Sequence, residues 1–251
     1  MILDEILAAT RERVGVLEGR EFPRPSQQHR SLSTAIGHAP GRNAIIAEIK
    51  FASPSRGRIR GAGQPERVAR DLVAGGCCAL SVLTEPRFFG GSNEYLSRVR
   101  DAVGVPVLRK DFIIDPIQLD ETAAIGGDAV LLIASILGDR LPAFVEKARA
   151  LGIEPLVEVH TAGEARAALR TRAGLIGVNN RNLGDFGMDF GKTFTLGPRI
   201  RRAGRRVVSE SGIRTPDDIR ALRPACDAFL VGSSLMASED PGRTLEGLVC
   251  A

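Results

Sequence analysis

Apolar residues in this chain gather in short, β-branched blocks at 44–50, 79–84, 105–110, 129–134, 155–159, 175–179, 207–210 and 228–231. The blocks lie roughly 20 to 35 residues apart, the size of a βα unit rather than a hairpin. After each comes a Gly- or Pro-marked loop and then an Ala-, Leu- and Arg-rich stretch with helical spacing. Helices are expected to begin near Pro65, Ser92, Pro116, Leu141, Thr161, Lys192, Pro216 and Pro241, several with proline in the first turn, where a missing N–H is tolerated. Continuous apolar strands fit a parallel sheet covered on both faces, and eight βα units in about 210 residues fit a closed (β/α)8 barrel. An open doubly wound sheet is the alternative. It would open with Gly-x-Gly-x-x-Gly after the first strand, which is missing here, and Gly61-Ala62-Gly63 lies too far downstream to serve.

Before residue 43 the pattern changes. Ile2, Leu3, Ile6, Leu7 and Val14 mark a helix, and the Pro- and Gln-bearing stretch 22–28 reads as a linker. The chain therefore divides into an N-terminal helical extension, 1–42, expected to pack at the barrel mouth, and a catalytic barrel, 43–251. Removing residues 1–30 is expected to leave a folded barrel with weakened substrate binding.

Composition narrows the classes of function. With 251 residues, 43% of them hydrophobic, the chain can bury a full core. No apolar run approaches the roughly 20 residues that cross a bilayer. Asp4 and Glu5 stand where a secretory leader would be positive, so a cytoplasmic protein without membrane association is expected. The excess of Lys plus Arg (34) over Asp plus Glu (30) gives +4, but aromatic residues make up only 4%, with no Trp. That argues against a nucleic-acid partner, whose bases need stacking surfaces. The local cluster of Arg199, Arg201, Arg202, Arg205 and Arg206 reads as a solvated helix end. Cys77, Cys78, Cys226 and Cys250 have no metal-ligand spacing, and His29, His38 and His160 are scattered, so neither a zinc site nor a Ser-His-Asp triad is indicated.

Chemistry in a parallel barrel collects at the C-terminal ends of the strands. Polar residues crowd there: Glu48 and Lys50 on the first block, Lys110 and Asp111 on the third, Glu158 on the fifth. Asn179, Asn180 and Arg181 end the sixth, and Ser209, Glu210 and Ser211 the seventh. Glu48 and Lys50 are two apart and share a side of their strand. Lysine is rare in this chain, occurring at 50, 110, 147 and 192 against a background of arginine. A lysine can surrender a proton when desolvated and an arginine cannot, so acid chemistry is the expected reason for Lys50 and Lys110. Ser211-Gly212 and Gly232-Ser233, the latter before a short turn at 234–236, have the form of a barrel phosphate site.

These motifs together resemble indole-3-glycerol-phosphate synthase, a (β/α)8 TIM barrel of tryptophan biosynthesis. The matching runs are IAEIKFASPS (46–55), ALSVLTEPRFFGGS (79–92), VPVLRKDFIIDPIQ (105–118), DAVLLIASIL (128–137), LVEVH (156–160), IGVNNRNL (176–183), VSESGIRTPDD (208–218) and DAFLVGSSLM (227–236). The resemblance implies a carboxy-lyase that closes the ring of 1-(2-carboxyphenylamino)-1-deoxyribulose 5-phosphate with loss of carbon dioxide and water, using no cofactor or metal. By the same resemblance Lys110 is the general acid at the ribulose carbonyl with Glu158 beside it. Lys50, paired with Glu48, holds the anthranilate carboxylate and assists dehydration. Asn179 and Glu210 join the catalytic set, orienting the substrate with Arg181 and Ser211. Ser53, Gly212, Gly232 and Ser233 take the phosphate end, and Phe89, Phe112, Leu131 and Leu183 wall the aromatic ring. The partner implied is this small molecule alone, with the protein a monomer or weak homo-oligomer. One departure is Phe51, at a position usually basic in the family and expected to face away from Lys50. The competing readings are another phosphate-binding barrel isomerase or aldolase, or a catalytically silent barrel that binds a sugar phosphate. An imine-forming aldolase would want a lysine on the sixth strand, and a silent barrel would have lost one of Glu48, Lys50, Lys110 or Glu158.

Overall fold

The computed structural model describes residues 2–23, 29–39, 41–54, 57–61, 64–182 and 187–251. Eight parallel strands form its centre: β1 (Ile45–Ile49), β2 (Ala79–Leu83), β3 (Val107–Lys110), β4 (Ala129–Ile133), β5 (Glu154–Val159), β6 (Leu175–Asn179), β7 (Arg206–Glu210) and β8 (Ala228–Val231). They pair in chain order and close where β8 meets β1, which excludes the open sheet. A helix follows each strand, Thr161, Ser92 and Thr215 accepting backbone N–H bonds as N-caps of three of them. Most of the expected linker (residues 24–28), Ala62, Gly63 and Leu183 lie outside the described residues.

The strands are apolar without alternation because both of their faces are buried, each in a different core. Ile45, Ala47, Ile49, Leu80, Val82, Leu132, Val157 and Ile176 face the surrounding helices. Ile46, Ala79, Leu108, Leu131, Leu156, Leu175, Val208 and Leu230 fill the barrel interior. Continuing the inward column by two residues leads from Ile46 to Glu48, from Leu108 to Lys110, from Leu156 to Glu158 and from Val208 to Glu210. The polar ends of the strands are thus the top layer of the barrel interior.

Pleating also sorts the polar residues that sequence alone could not. Asn180 and Ser209 face outward and bond Thr193 on the helix Gly191–Arg202. Arg109 is buried on the outside and bonds Thr84, Thr122, Asp111 and Glu121. Phe51 faces away from Lys50 and packs edge-on against Tyr95 with centroids 5.5 Å apart.

The extension, expected as one segment at the mouth, splits between the two ends of the barrel. Its helix Ile2–Gly15 is tied to the mouth by Arg13, which bonds both oxygens of Asp111 at 3.0 and 2.8 Å. Helix Leu32–Gly37 instead closes the opposite end, with Leu32 and Ile36 buried in the interior core beside Ala44, Ala79 and Ala129. Small side chains at the strand starts leave a recess there, and burying two large apolar residues in it removes more surface from water than a loop could. Ser31 and Ser33 fasten this turn to Glu154 at the start of β5.

Of the arginine cluster, Arg199, Arg201 and Arg202 end the helix Gly191–Arg202; Arg201 bonds the Pro224 carbonyl and Arg205 that of Thr171. The four cysteines are unpaired, and burial pushes the thiols of Cys78 and Cys226 up to about 12. No helix among the described residues is long and apolar enough to cross a membrane.

Candidate active site

A cavity of about 500 Å³ opens at the C-terminal ends of the strands. It is lined by Glu48, Lys50, Ser53, Phe89, Lys110, Phe112, Leu131, Glu158, Asn179, Arg181, Glu210, Ser211, Gly212, Gly232 and Ser233. These are all the site residues named from the sequence except Leu183.

Two charged groupings share the cavity. Lys50 Nζ meets Glu48 Oε1 at 2.5 Å. Lys110 Nζ, from β3, lies 3.1 Å from Glu158 Oε2 on β5 and 3.4 Å from Glu210 Oε2 on β7. Asn179 donates to Glu158 Oε1 at 3.1 Å, a contact prepared by strand register, since Glu158 neighbours Gly177 on β6. Burial opposes ionisation of Glu158, but Lys110, His160 and Asn179 outweigh it and hold the carboxyl down at about 2. Burial dominates at Glu210, with the Glu158 charge beside it, and pushes this carboxyl up to about 8. Two carboxylates converge on one lysine, so the charge that holds Glu158 down leaves burial to dominate at Glu210.

Lys110 corrects one expectation. Burial alone would loosen its proton, but Glu158, Glu210 and Glu48 reverse that, and the ammonium is held above the usual lysine range. Glu48 is likewise kept below the usual carboxylate range, because Lys50 and Lys110 more than offset its burial.

Space for the carboxylates comes from glycine. A Cβ at Gly177 would collide with Glu210 Oε1, and one at Gly232 with Glu48 Oε1. Gly232 therefore has a packing duty besides any anion contact. Ser211 adopts φ +66°, the one left-handed non-glycine among the described residues, and such strain is held only where surroundings over-determine it. Ser53 Oγ is buried at the cavity wall without a hydrogen-bond partner. Glu85 accepts from the N–H groups of Arg87, Phe88 and Phe89, fixing the short helix Pro86–Phe89. That places Phe89 6.0 Å from Phe112, centroid to centroid, on the apolar side of the cavity.

The helix expected at the mouth supplies part of the wall, and a stretch not singled out in the sequence supplies more. Ile2, Leu3 and Ile6 line the cavity from the N-terminal helix, and Met188 and Phe190 from the stretch after β6. The helix is expected at the mouth because it lies outside the eight-unit pattern, whereas nothing local marks Met188 and Phe190 as cavity residues. Asp111, grouped by sequence with Lys110, lines the cavity yet spends its carboxylate on Arg13, Thr84 and Arg109.

The raised carboxyl has a consequence for stability. A carboxyl whose value is higher folded than unfolded stabilises the fold below its ordinary value and ceases to as pH rises through the folded one, here from about 4.5 to about 8. Glu158 and Lys110 are shifted away from that window, to its acid and alkaline sides. Glu210→Gln is therefore expected to gain melting temperature relative to the parent progressively between pH 5 and pH 9. A difference in Tm that does not change with pH contradicts the burial of a protonated Glu210.

A family model described as indole-3-glycerol phosphate synthase matches residues 3–248. The indole-3-glycerol phosphate synthase of Carboxydothermus hydrogenoformans is 42% identical, covering 99% of this chain and 100% of its own length. That of Methanopyrus kandleri is also 42% identical, over 98% of this chain and 97% of its own. Among solved structures, 3-hexulose-6-phosphate synthase superposes with a TM-score of 0.66 at 15% identity, over 82% of this chain and 97% of the other. Tryptophan synthase subunit alpha from Legionella pneumophila gives 0.64 at 11%, over 86% and 95%. These two show likeness of fold alone.

Proposed function

The chain belongs to the indole-3-glycerol phosphate synthase family, and we propose, from the groups gathered in its cavity, how it performs ring closure of 1-(2-carboxyphenylamino)-1-deoxyribulose 5-phosphate. The observation that carries the reading is Lys110 between Glu158 and Glu210, together with the Lys50–Glu48 pair, in one cavity with an apolar side.

Attack of the aromatic ring carbon on the ribulose carbonyl builds negative charge on that oxygen. Lys110 gives it a proton, and the neighbouring carboxylates stabilise the charge the lysine carries before transfer. Carbon dioxide then leaves, its bonding pair returning to the ring. The new hydroxyl departs as water with a proton from an acid, and a base takes the last proton beside the ring nitrogen. Lys50 is positioned to hold the anthranilate carboxylate and serve the dehydration, with Glu48 orienting it. Glu158 and Glu210, one anionic and one protonated, supply a base and a second proton. Asn179, Arg181 and Ser211 orient the substrate, while Phe89, Phe112 and Leu131 take the ring. The protein acts on this small molecule in the cytoplasm, as a monomer or weak homo-oligomer, without nucleic acid.

Incubating the protein with the carboxyphenylamino deoxyribulose phosphate and following indole fluorescence tests the reading. Turnover is expected, and its absence in correctly folded protein overturns it. An imine-forming aldolase is disfavoured because β6 ends in Asn179 where a lysine would be wanted.

The phosphate end is assigned to Ser53, Gly212, Gly232 and Ser233, supported by the unpartnered Ser53 hydroxyl and by the position of the two glycines at the mouth after β7 and β8. Inorganic phosphate is expected to inhibit competitively, and Ser233→Asp to raise KM by repelling the dianion. Absence of phosphate inhibition up to high millimolar concentration, with an unchanged KM in Ser233→Asp, argues against the assignment.

A further inference from the structure

His160 follows β5 directly, two positions on from Glu158, and its side chain is buried. Its Nε2 faces Glu158 Oε1 and its Nδ1 faces Glu164 Oε2, each at 3.5 Å. Neither ring nitrogen has a hydrogen-bond partner, an arrangement that buried polar atoms rarely keep without a use. A carboxylate oxygen only accepts, so each nitrogen can engage its neighbour only as a donor.

Glu164 is itself fixed. In the first turn of the helix Ala162–Leu169 it accepts the His160 backbone N–H at 2.7 Å and the Thr161 hydroxyl at 3.1 Å. The imidazole thus stands between a braced carboxylate behind it and a working one in front. The two oxygens of Glu158 are divided: Oε1 faces Asn179 and His160, and Oε2 faces Lys110.

We infer that His160 is a positioning residue for the ring closure, holding Glu158 by Oε1 so that Oε2 stays against Lys110 as substrate enters. The contact tightens when the site fills, as loosely aligned bonds in unliganded sites do. This inference rests on the reading of Lys110 and Glu158 as a proton-transfer pair.

Amide side chains separate the two nitrogens. Glutamine places an amide near Nε2 and reaches Glu158; asparagine places one near Nδ1 and reaches only Glu164. His160→Gln is expected to keep kcat within about threefold of the parent, and His160→Asn to lose at least about tenfold with KM nearly unchanged. Equal kcat in the two variants at equal Tm means a merely structural histidine and overturns the inference, as does an asparagine variant within about threefold of the parent. If neither variant folds, Glu164→Ala, which removes the acceptor facing Nδ1, gives the second readout: a loosened imidazole is expected to lower kcat by about threefold or more at constant KM, and an unchanged kcat overturns the inference. The parent and Lys110→Arg are assayed alongside. A parent without turnover defeats the underlying reading, whereas an active parent, an impaired Lys110→Arg and an unimpaired His160→Asn defeat the role of His160 alone.

Discussion

Lys110→Arg is expected to lower kcat by at least about 100-fold, ~2.7 kcal/mol of barrier, with a smaller change in KM. The geometry makes this a sharp test. Lys110 contacts two carboxylates, so a purely structural ion pair would survive the substitution: arginine keeps the charge and can bond carboxylates through its planar fork. A proton donor does not survive it, because guanidinium holds its proton above pH 12 and its flat head misplaces the donor. The surrounding carboxylates already hold the Lys110 proton tightly in the free protein. Transfer is therefore driven by the basicity of the oxygen formed on the substrate, and the donor must sit at that oxygen. Lys110→Ala is expected to be no better than Lys110→Arg. An arginine variant within about threefold of the parent kcat, measured where chemistry limits the rate, would move the acid role to Lys50.

The second large effect is on stability, at the other end of the barrel. Leu32→Ala is expected to cost about 2–5 kcal/mol of unfolding free energy in urea titrations, because Leu32 is fully buried among interior side chains that cannot collapse into the gap. Deleting residues 1–19 is expected to leave Tm close to the parent and raise KM, since Ile2, Leu3 and Ile6 wall the cavity while Arg13 provides their anchor on Asp111. A deletion extended to residue 30 removes more than the mouth helix. It also severs the Arg30 N–H bond to Asp128 and the guanidinium bond to the Val105 carbonyl, both at the closed end. A Leu32→Ala protein destabilised by less than about 1 kcal/mol, or a deletion of 1–19 with the parental KM, shows that the two halves of the extension have been assigned to the wrong ends.

The barrel was legible in the sequence by itself, as was the face that Glu48 shares with Lys50. Apolar blocks at βα spacing require a parallel sheet with two buried faces, and a period of two carries Ile46 on to Glu48 and Leu108 on to Lys110. Those rules are local, so they are legible along the chain. Tertiary structure alone decided which charges meet. Lys110 reaches Glu158 and Glu210 from strands 48 and 100 residues away, and their convergence both holds the lysine's proton and raises the carboxyl of Glu210. It also decided where the N-terminal segments go, since Arg13 bonds Asp111, 98 residues on, and Leu32 packs in the core of Ala79 and Ala129. His160 shows the same limit, being a scattered histidine in sequence and a buried imidazole between two carboxylates in space. Electrostatic coupling and cavity walls depend on distances across the barrel, and barrel closure sets those distances only after every strand is in register.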